Sequence, residues 1–300
     1  MTDLRAEIAT PAPRRHLASA RASSAVERRA PAAPEAPALA PAPAGPFWTA
    51  RRISALTLVG LFLAWEAVTR LGLVAPLFLP APEAVAARFV AILQDGYGDA
   101  ALGRHLGASL GRVFAALALA TAIGVPVGLA IGASPLGRGV FDPLLEILRP
   151  IPPLAYLPLI VIWCGIGEPS KVLVIAIAML APIALSTAAG VRGANPDRLR
   201  AARALGASRG QVLRHVVLPG ALPQILIGLR IALGAGWTTL VAAELIAATE
   251  GLGFMIQSAA NFLDTETVVL GIVVIAAVAF ALELAVRRLE AALVPWAGRD

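Results

Sequence analysis

Few polar side chains interrupt the long apolar runs of this chain, so each one inside a run is a candidate for chemistry. Glu244 lies well inside such a run, where a charge is costly and usually faces a cavity or a partner. Its carboxylate can line a polar path, pair with an arginine or take up a proton. Arg230 lies near one end of the same run, where its guanidinium can extend to the membrane interface, bind an anion or form a salt bridge across a dimer.

Four hydroxyl side chains in two of the apolar runs offer hydrogen-bonding groups to a polar path. The alternative is a hydrogen bond to a carbonyl of the residue's own helix, which is the commoner arrangement. The sequence leaves both roles open. These residues are Ser186, Thr187, Thr238 and Thr239.

Groups that catalyse reactions are missing from the apolar runs. A membrane-embedded enzyme needs a nucleophile, a base and an acid at one depth, and the sequence has no HExxH, GxSxG or intramembrane aspartate pair. Lys171, the only lysine, follows Ser170, so the sequence has no Gly-Lys-Ser/Thr phosphate-binding loop. Cys164 is the single cysteine and cannot form a disulfide within one chain. We therefore predict no catalytic residue, metal site or cofactor in this chain.

The composition is that of an integral membrane protein. The 300 residues are 58% hydrophobic and 15% charged, with a mean hydropathy of +0.78. Runs of about 20 apolar residues, long enough to cross a bilayer, predict an all-α fold with six transmembrane helices. The third run is short and rich in proline, which predicts a broken or kinked helix joined to the preceding turn PLLEIL. The six runs are residues 53–71, 109–131, 151–166, 172–190, 225–248 and 268–286.

Arginine residues gather on one side of this topology. That side receives the N-terminal tail, the turn with Arg138, residues 192–214, and Arg287 and Arg288 near the C-terminus. The positive-inside rule makes it cytoplasmic and places both termini there. The net charge of +6 therefore indicates membrane topology rather than binding to nucleic acid.

The composition also divides the chain into regions. Residues 1–46 are rich in Ala, Pro and Arg and predict a disordered cytoplasmic tail. No apolar core of a signal peptide precedes Ile53, and the prolines and acids of the tail disfavour a transit peptide. Residues 47–300 form the membrane domain, which includes a polar cytoplasmic loop at residues 191–224.

The second apolar run carries small residues at intervals of four. One side of this helix is nearly smooth, which lets the backbone of another helix approach closely. The approaching helix belongs to the same chain or, alternatively, to a dimer or gate contact. The stripe consists of Ala116, Ala120, Gly124, Gly128 and Gly132.

The segment NPDRLRAARALGASRGQVLRHVVLPGALP, within the polar loop, predicts two short helices. Asn195 caps the first helix, which has Pro196 at its first position and ends at Gly206. Ser208 caps the second helix, and Gln211 completes a capping box. Two structured helices are more than a connection between spans requires.

The first short helix carries a small apolar ridge edged with arginines. The ridge consists of Leu199, Ala202 and either Leu205 or Gly206. Such a ridge predicts a contact with a groove on a partner protein.

The loop resembles the cytoplasmic loop of ABC-importer permeases, whose pattern is Glu-Ala-Ala, three residues, Gly, nine residues, an aliphatic residue, one further residue and Leu-Pro. Arg200 takes the position of the glutamate, a departure that the nitrate, sulfonate and taurine branch of the family tolerates. The residues in register are Ala201, Ala202, Gly206, Val216, Leu218 and Pro219.

The likeness extends over residues 73–298, through RPIPPLAYLPLIVIWCGIGEPSK, GLRIALGAGWTTLVAAELIAATEGLGFMIQSA and the ending near VPWAG. It is greatest to bacterial taurine-import permeases, and it implies the type I importer permease fold in a bacterial inner membrane. Taurine is the expected cargo, and another alkanesulfonate, nitrate, bicarbonate or a vitamin precursor are the alternatives. A proton-coupled carrier is a more distant alternative. Such a carrier usually has an acid and His relay or inverted repeats, whereas His16, His105 and His215 are all predicted outside the spans.

The resemblance also implies partners and residue roles. A second permease copy would share the path, two ATPase subunits would bind ATP and Mg, and a periplasmic binding protein would deliver the cargo. Gly251, Gly253, Phe254 and Met255 resemble the outer gate segment, although an interfacial turn anchored by Phe254 in lipid also fits their composition. The residues expected to seat in the ATPase are Arg200, Ala201, Ala202, Leu205, Gly206 and Ala207.

Overall fold

The computed structural model describes residues 50–294, except for the side chains of Ala50, Arg51 and Ala247. The predicted tail at residues 1–46 lies outside the described residues. By its internal contacts the chain divides between Leu56 and Thr57, and the contacts that define the fold lie within residues 57–294. The α-helices are α1 (Ala50–Arg70), α2 (Pro82–Asp95), α3 (Leu102–Ala133), α4 (Pro135–Leu148), α5 (Leu157–Cys164), α6 (Glu168–Arg192), α7 (Pro196–Ala204), α8 (Arg209–Val212), α9 (Leu218–Ala247), α10 (Leu252–Asn261) and α11 (Thr265–Leu293).

Five of the described helices are long and apolar enough to cross a membrane. These are α1, α3, α6, α11 and a continuous helix in which a π-helical turn, Leu213–Val217, joins α8 to α9. The helices α4 and α5, with the 3-10 turn Pro153–Tyr156 between them, make a sixth span if the pair counts as one. The pair is bent by 92°.

The predicted break in the third span is confirmed, but the segments before and after the break differ from the prediction. PLLEIL is the last part of the helix α4 rather than a turn, and only Leu157–Cys164 of the predicted run 151–166 is α-helical. The bend follows from Pro152 and Pro153, which cannot donate backbone hydrogen bonds and therefore cannot continue α4.

The most buried span, α6, packs along α3 and α9. The small-residue stripe of α3 faces α6, because a Cβ added at Gly124 would lie 3.0 Å from the side chain of Ile183. A Cβ added at Gly128 would collide with the carbonyl of Ala184 and the side chain of Thr187. The small residues of the stripe therefore pack against a helix of the same chain, which is one of the two predicted alternatives.

The helix α2 is attached to the start of α11 by an ion pair. Arg88 donates to Asp264 at 2.7 Å and to the Thr267 hydroxyl at 2.8 Å. Burial opposes the charge of Asp264, but hydrogen bonds from Thr267 and the charge of Arg88 outweigh it and hold the pKa of Asp264 below its ordinary value. Asp264 also caps α11 by accepting from the backbone N–H of Thr267.

Candidate functional site

The predicted pair of short helices is present as a capped hairpin between α6 and α9. Asn195 accepts from the backbone N–H of Asp197 at 2.8 Å, so the first cap is confirmed. Gly206 has a φ of +82°, the left-handed conformation that ends a helix, and α7 stops two residues before it. Ser208 and Gln211 form the predicted capping box.

The residues of the predicted apolar ridge do not share one exposed face of the hairpin. Leu199 and Ala202 are half-buried and pack against an apolar cluster that joins Val212 of the hairpin to Ala221 and Ile225 of α9. Leu205, by contrast, is 89% exposed. Two short helices need a shared core to hold together, so the larger part of the ridge faces the chain itself. The surface left for a partner is the tip.

The tip carries the remaining residues of the ATPase-contact prediction. Ala201, Leu205 and Gly206 are exposed, and Ala207 is half-buried against the same core as Ala202. Arg200 is exposed and forms an ion pair with Asp197 at 2.8 Å, within the first helix. The docking role of these six residues stays a prediction.

Glu244 lies in a buried cluster of charges rather than alone in an apolar helix. Its side chain is 0% exposed, and Arg112 donates to it at 2.6 Å. The Ser109 hydroxyl donates at 2.8 Å, and the backbone N–H of Gly253 donates at 2.8 Å. A fully buried carboxylate is stable only when it is paired and hydrogen-bonded in this way. Of the roles left open for Glu244, pairing with an arginine is the one observed.

The same arginine joins Glu244 to a second acid on another helix. Arg112 donates two hydrogen bonds to Glu168, at 2.6 and 2.8 Å, and a third to the backbone carbonyl of Glu250 at 2.7 Å. Lys171 also pairs with Glu168, at 2.7 Å. Sequence reasoning missed Arg112, Glu168 and Lys171 in this role. The available signal was the arginine inside the second apolar run, because an isolated charge there requires a partner.

The predicted gate segment rests directly on this cluster. Gly251 has a φ of +132°, and a Cβ there would collide with the carboxylate of Glu244. Its backbone N–H donates to Nδ1 of His105 at 3.2 Å, so that nitrogen is unprotonated and Nε2 donates to the carbonyl of Tyr97 at 3.1 Å. The rings of His105 and Phe254 stack with centroids 6.2 Å apart. Met255 is fully buried below them.

His105 and His215 correct one prediction, because both lie within helices that are counted as spans, and His215 is in the π-helical turn Leu213–Val217. His105 is the buried one of the two. It occupies the first turn of α3, which begins seven residues before the predicted run. His105 is only 1% exposed, and its hydrogen bonds go to backbone atoms. The gate role of the segment above it stays a prediction.

The hydroxyl residues predicted for a polar path do not converge on one point. Thr238 and Thr239 each donate to the carbonyl of Ala235 on their own helix, at 2.8 and 2.9 Å. Ser186 is half-buried where α6 meets Gly228 of α9. Thr187 is buried, and among the described residues its hydroxyl has no hydrogen-bond partner. The path itself stays a prediction.

Arg230 makes its contacts within the chain. It forms ion pairs with Glu290 at 3.3 Å and Glu283 at 3.9 Å, both on α11. These pairs attach the middle of α9 to the last part of α11. Neither predicted alternative, an anion contact or a bridge across a dimer, is needed to satisfy the guanidinium.

Apolar spans, a sharply bent helix pair and a capped polar hairpin define a multi-pass membrane transport subunit. Residues 121–295 match the family of binding-protein-dependent transport system inner membrane components, and the chain belongs to that family. It is a multi-pass protein of the inner membrane with the all-α permease fold of type I ABC importers.

The relatives narrow this class further. The chain is 56% identical over 243 residues to the taurine transport system permease protein TauC of Escherichia coli (strain K12). The aligned residues cover 81% of this chain and 88% of that relative. It is 35% identical to SsuC of the same organism, a permease protein named for aliphatic sulfonates, over 79% of this chain and 89% of the relative. Inward-facing MetNI, a methionine ABC transporter, shares the fold, with a TM-score of 0.57 at 23% identity over 64% of this chain and 95% of that chain.

Proposed function

We propose that this chain is the membrane subunit through which an ATP-driven importer moves taurine, or a closely related small sulfonate, into the cell. The observation that carries the proposal is the 56% identity to a taurine permease over 81% of the chain. The weaker likeness to a permease named for aliphatic sulfonates makes another sulfonate the second candidate.

The working importer would contain two copies of this chain, two ATPase subunits that bind ATP and Mg, and a periplasmic binding protein. The exposed apolar side chains of α1, such as Leu58 and Leu61, which are 68% and 69% exposed, require a cover of lipid or a second copy. ATP hydrolysis would belong entirely to the ATPase subunits. Both termini of this chain would lie in the cytoplasm, as the arginine distribution predicts.

The hairpin would transmit closure of the ATPase dimer to the spans. Its exposed tip, Leu205 and Gly206, is available to a groove, while Leu199 and Ala202 anchor it to the base of α9. A rigid hairpin between two packed spans converts a push at its tip into a rotation of those spans. In this arrangement the buried ridge residues position the hairpin and the tip makes the contact.

Uptake in cells that lack their own sulfonate importers tests the proposal. The cells receive the cognate ATPase and binding protein, with or without this chain, and accumulation of labelled taurine and of a labelled alkanesulfonate is measured. Taurine uptake that requires the chain supports the proposal. Uptake of the alkanesulfonate alone keeps the class and replaces the cargo, while uptake of neither contradicts the proposed function.

Gly206→Trp tests the docking role of the tip. No atom lies within 4 Å of a Cβ added at Gly206, so a side chain there begins in open space, and the positive φ costs about 1–3 kcal/mol. We expect folded protein that no longer binds the ATPase. Gly72→Trp, at a φ of +67° with equally open space, is the matched control and should retain ATPase binding. Equal binding by both variants would contradict docking at Gly206.

A further inference from the structure

The sharp bend after α4 carries an arginine whose charge no other described group satisfies. Arg149 directly follows α4, and its backbone N–H donates to the carbonyl of Leu145 at 2.9 Å, which fixes its position. Its side chain is exposed at the bend. Within residues 52–294, no carboxylate lies within 4 Å of the Arg149 guanidinium and no side-chain hydrogen bond satisfies it.

The neighbours of Arg149 place it about halfway along the spans. It shares a cavity with Ile177 and Pro182 of α6. These residues are the tenth and fifteenth of the 25 residues of α6, so they occupy its middle. A charge at that depth is expensive unless it meets an opposite charge or water, and a charge held there usually has a function. Arg149 at that depth therefore requires water or an anion beside its guanidinium.

The cavity beside Arg149 has the size and lining of a site for a small solute. Its volume is about 260 Å³, and its walls include Ile151 and Pro153 from the bend and Thr238 and Thr239 from α9. This volume lies below the roughly 300–1,000 Å³ of pockets that hold drug-sized ligands, which suits a solute of few heavy atoms. Apolar walls around one guanidinium strengthen its attraction for an anion.

The hydroxyl groups add a second kind of contact. Both threonine hydroxyls donate to the carbonyl of Ala235, so their oxygens keep lone pairs that accept hydrogen bonds. An ammonium group is a strong donor to such oxygens, whereas an anion is drawn to the guanidinium. One wall of the cavity thus suits the negative end of a zwitterion and the other suits its positive end.

We propose that Arg149, Thr238 and Thr239 form a cargo-binding site midway across the membrane. The guanidinium binds the sulfonate of the cargo, and the threonine oxygens accept hydrogen bonds from its ammonium group. The inference rests on the proposed function for the identity of the cargo, whereas the anion site itself rests on the position of Arg149. An ion pair between Arg149 and a carboxylate of a second copy is the competing account.

Chemical rescue of a cysteine variant of the assembled importer tests this site. Cys164 is the only cysteine of this chain, so each copy of Arg149→Cys in a Cys164→Ala background carries one thiol, and the Cys164→Ala importer without Arg149→Cys gives the reaction of the partner subunits. Loss of the charged hydrogen bonds should reduce taurine uptake by about tenfold or more. An aminoethyl thiosulfonate reagent, which restores a positive charge, should recover uptake, and the sulfonatoethyl reagent should not.

Protection from labelling provides a readout that needs no uptake. Taurine should slow modification of the Arg149→Cys thiol in the purified complex, because the cargo occupies the cavity. Arg138→Cys, near the other end of α4 and outside the cavity, is the matched control and should be labelled at the same rate with and without taurine. Ethanolamine, which lacks the anionic group, should protect far less than taurine.

The possible outcomes separate this site from the proposed function. If the Cys164→Ala importer carries a different anion and not taurine, the proposed cargo fails, and protection by that anion still supports the site. Absence of protection by the transported anion overturns the site. Failure of Arg149→Cys to assemble, judged by size-exclusion chromatography, supports the ion pair between copies and also overturns the proposal.

Discussion

Glu244 and Arg112 place opposite charges inside the core of this chain, beside the buried Lys171. The pair is held by a 2.6 Å contact, and the neighbouring Ser109 and Gly253 saturate the carboxylate. Because the two side chains are 0% and 4% exposed, water cannot replace either partner. The cluster thus fixes the loop after α9 to α3 and α6.

Replacing Glu244 by Gln should destabilise the protein more than replacing Glu168 by Gln. Breaking a buried ion pair typically costs about 3–5 kcal/mol, and we expect the lower end because Arg112 keeps Glu168. Glu168→Gln keeps the Arg112–Glu244 pair but removes the carboxylate that pairs with Lys171, whose side chain is 4% exposed. It should therefore cost about 1–3 kcal/mol, and the 59% exposure of Glu168 favours the lower end. Thermal unfolding of the purified proteins in detergent measures both. Equal losses would mean that burial does not govern the cluster.

At the level of single elements, the contact between α3 and α6 depends on the absence of a side chain. Gly128→Ala places a Cβ against the carbonyl of Ala184, so the helices must separate, at a cost of about 1–3 kcal/mol. Gly111→Ala, on the same helix with no atom within 4 Å, is the matched control and should change little. Unfolding midpoints compare the two. Equal midpoints would contradict close packing at Gly128.

The attachment of α2 to α11 should weaken in acid. The pKa of Asp264 is lowered in the folded protein, so the unfolded chain binds its proton more readily. The stabilisation is complete above the ordinary pKa of 3.8 and is lost as the pH falls through the lower folded value. Asp264→Asn should therefore reduce the unfolding midpoint at pH 7 and make progressively less difference as the pH falls below 3.8.

Arg88→Gln provides the partner variant for this prediction. It removes the positive charge that faces Asp264 at 2.7 Å, so it should lower stability in the same pH range. Because the two side chains act as one pair, the double variant should be little worse than either single variant. Additive losses would show that the two residues act independently.

For the whole molecule, the energy source separates an ABC permease from a proton-coupled carrier. His105 is buried in α3, but its ring bonds to backbone groups of Gly251 and Tyr97, which gives it a structural task. We expect uptake to continue under a proton uncoupler when ATP is maintained and to stop when ATP is depleted. Loss of uptake under the uncoupler alone would favour the carrier.

Local patterns in the sequence predicted much of this protein. The apolar runs gave the spans because helix length and hydrophobicity are properties of a continuous segment. The caps at Asn195, Gly206 and Ser208 were predictable because each involves residues only a few positions apart. The proline-rich break was visible for the same reason.

Only the tertiary structure decided which side chains meet across the spans. Arg112 and Glu244 are 132 positions apart, and no local pattern specifies that pairing. The hairpin ridge faced inward because two short helices must bury a common core, a demand that arises only once both are folded. The depth of Arg149 likewise depends on where α6 passes the bend. Long-range packing is therefore what turns scattered polar residues into a buried cluster and a candidate cargo site.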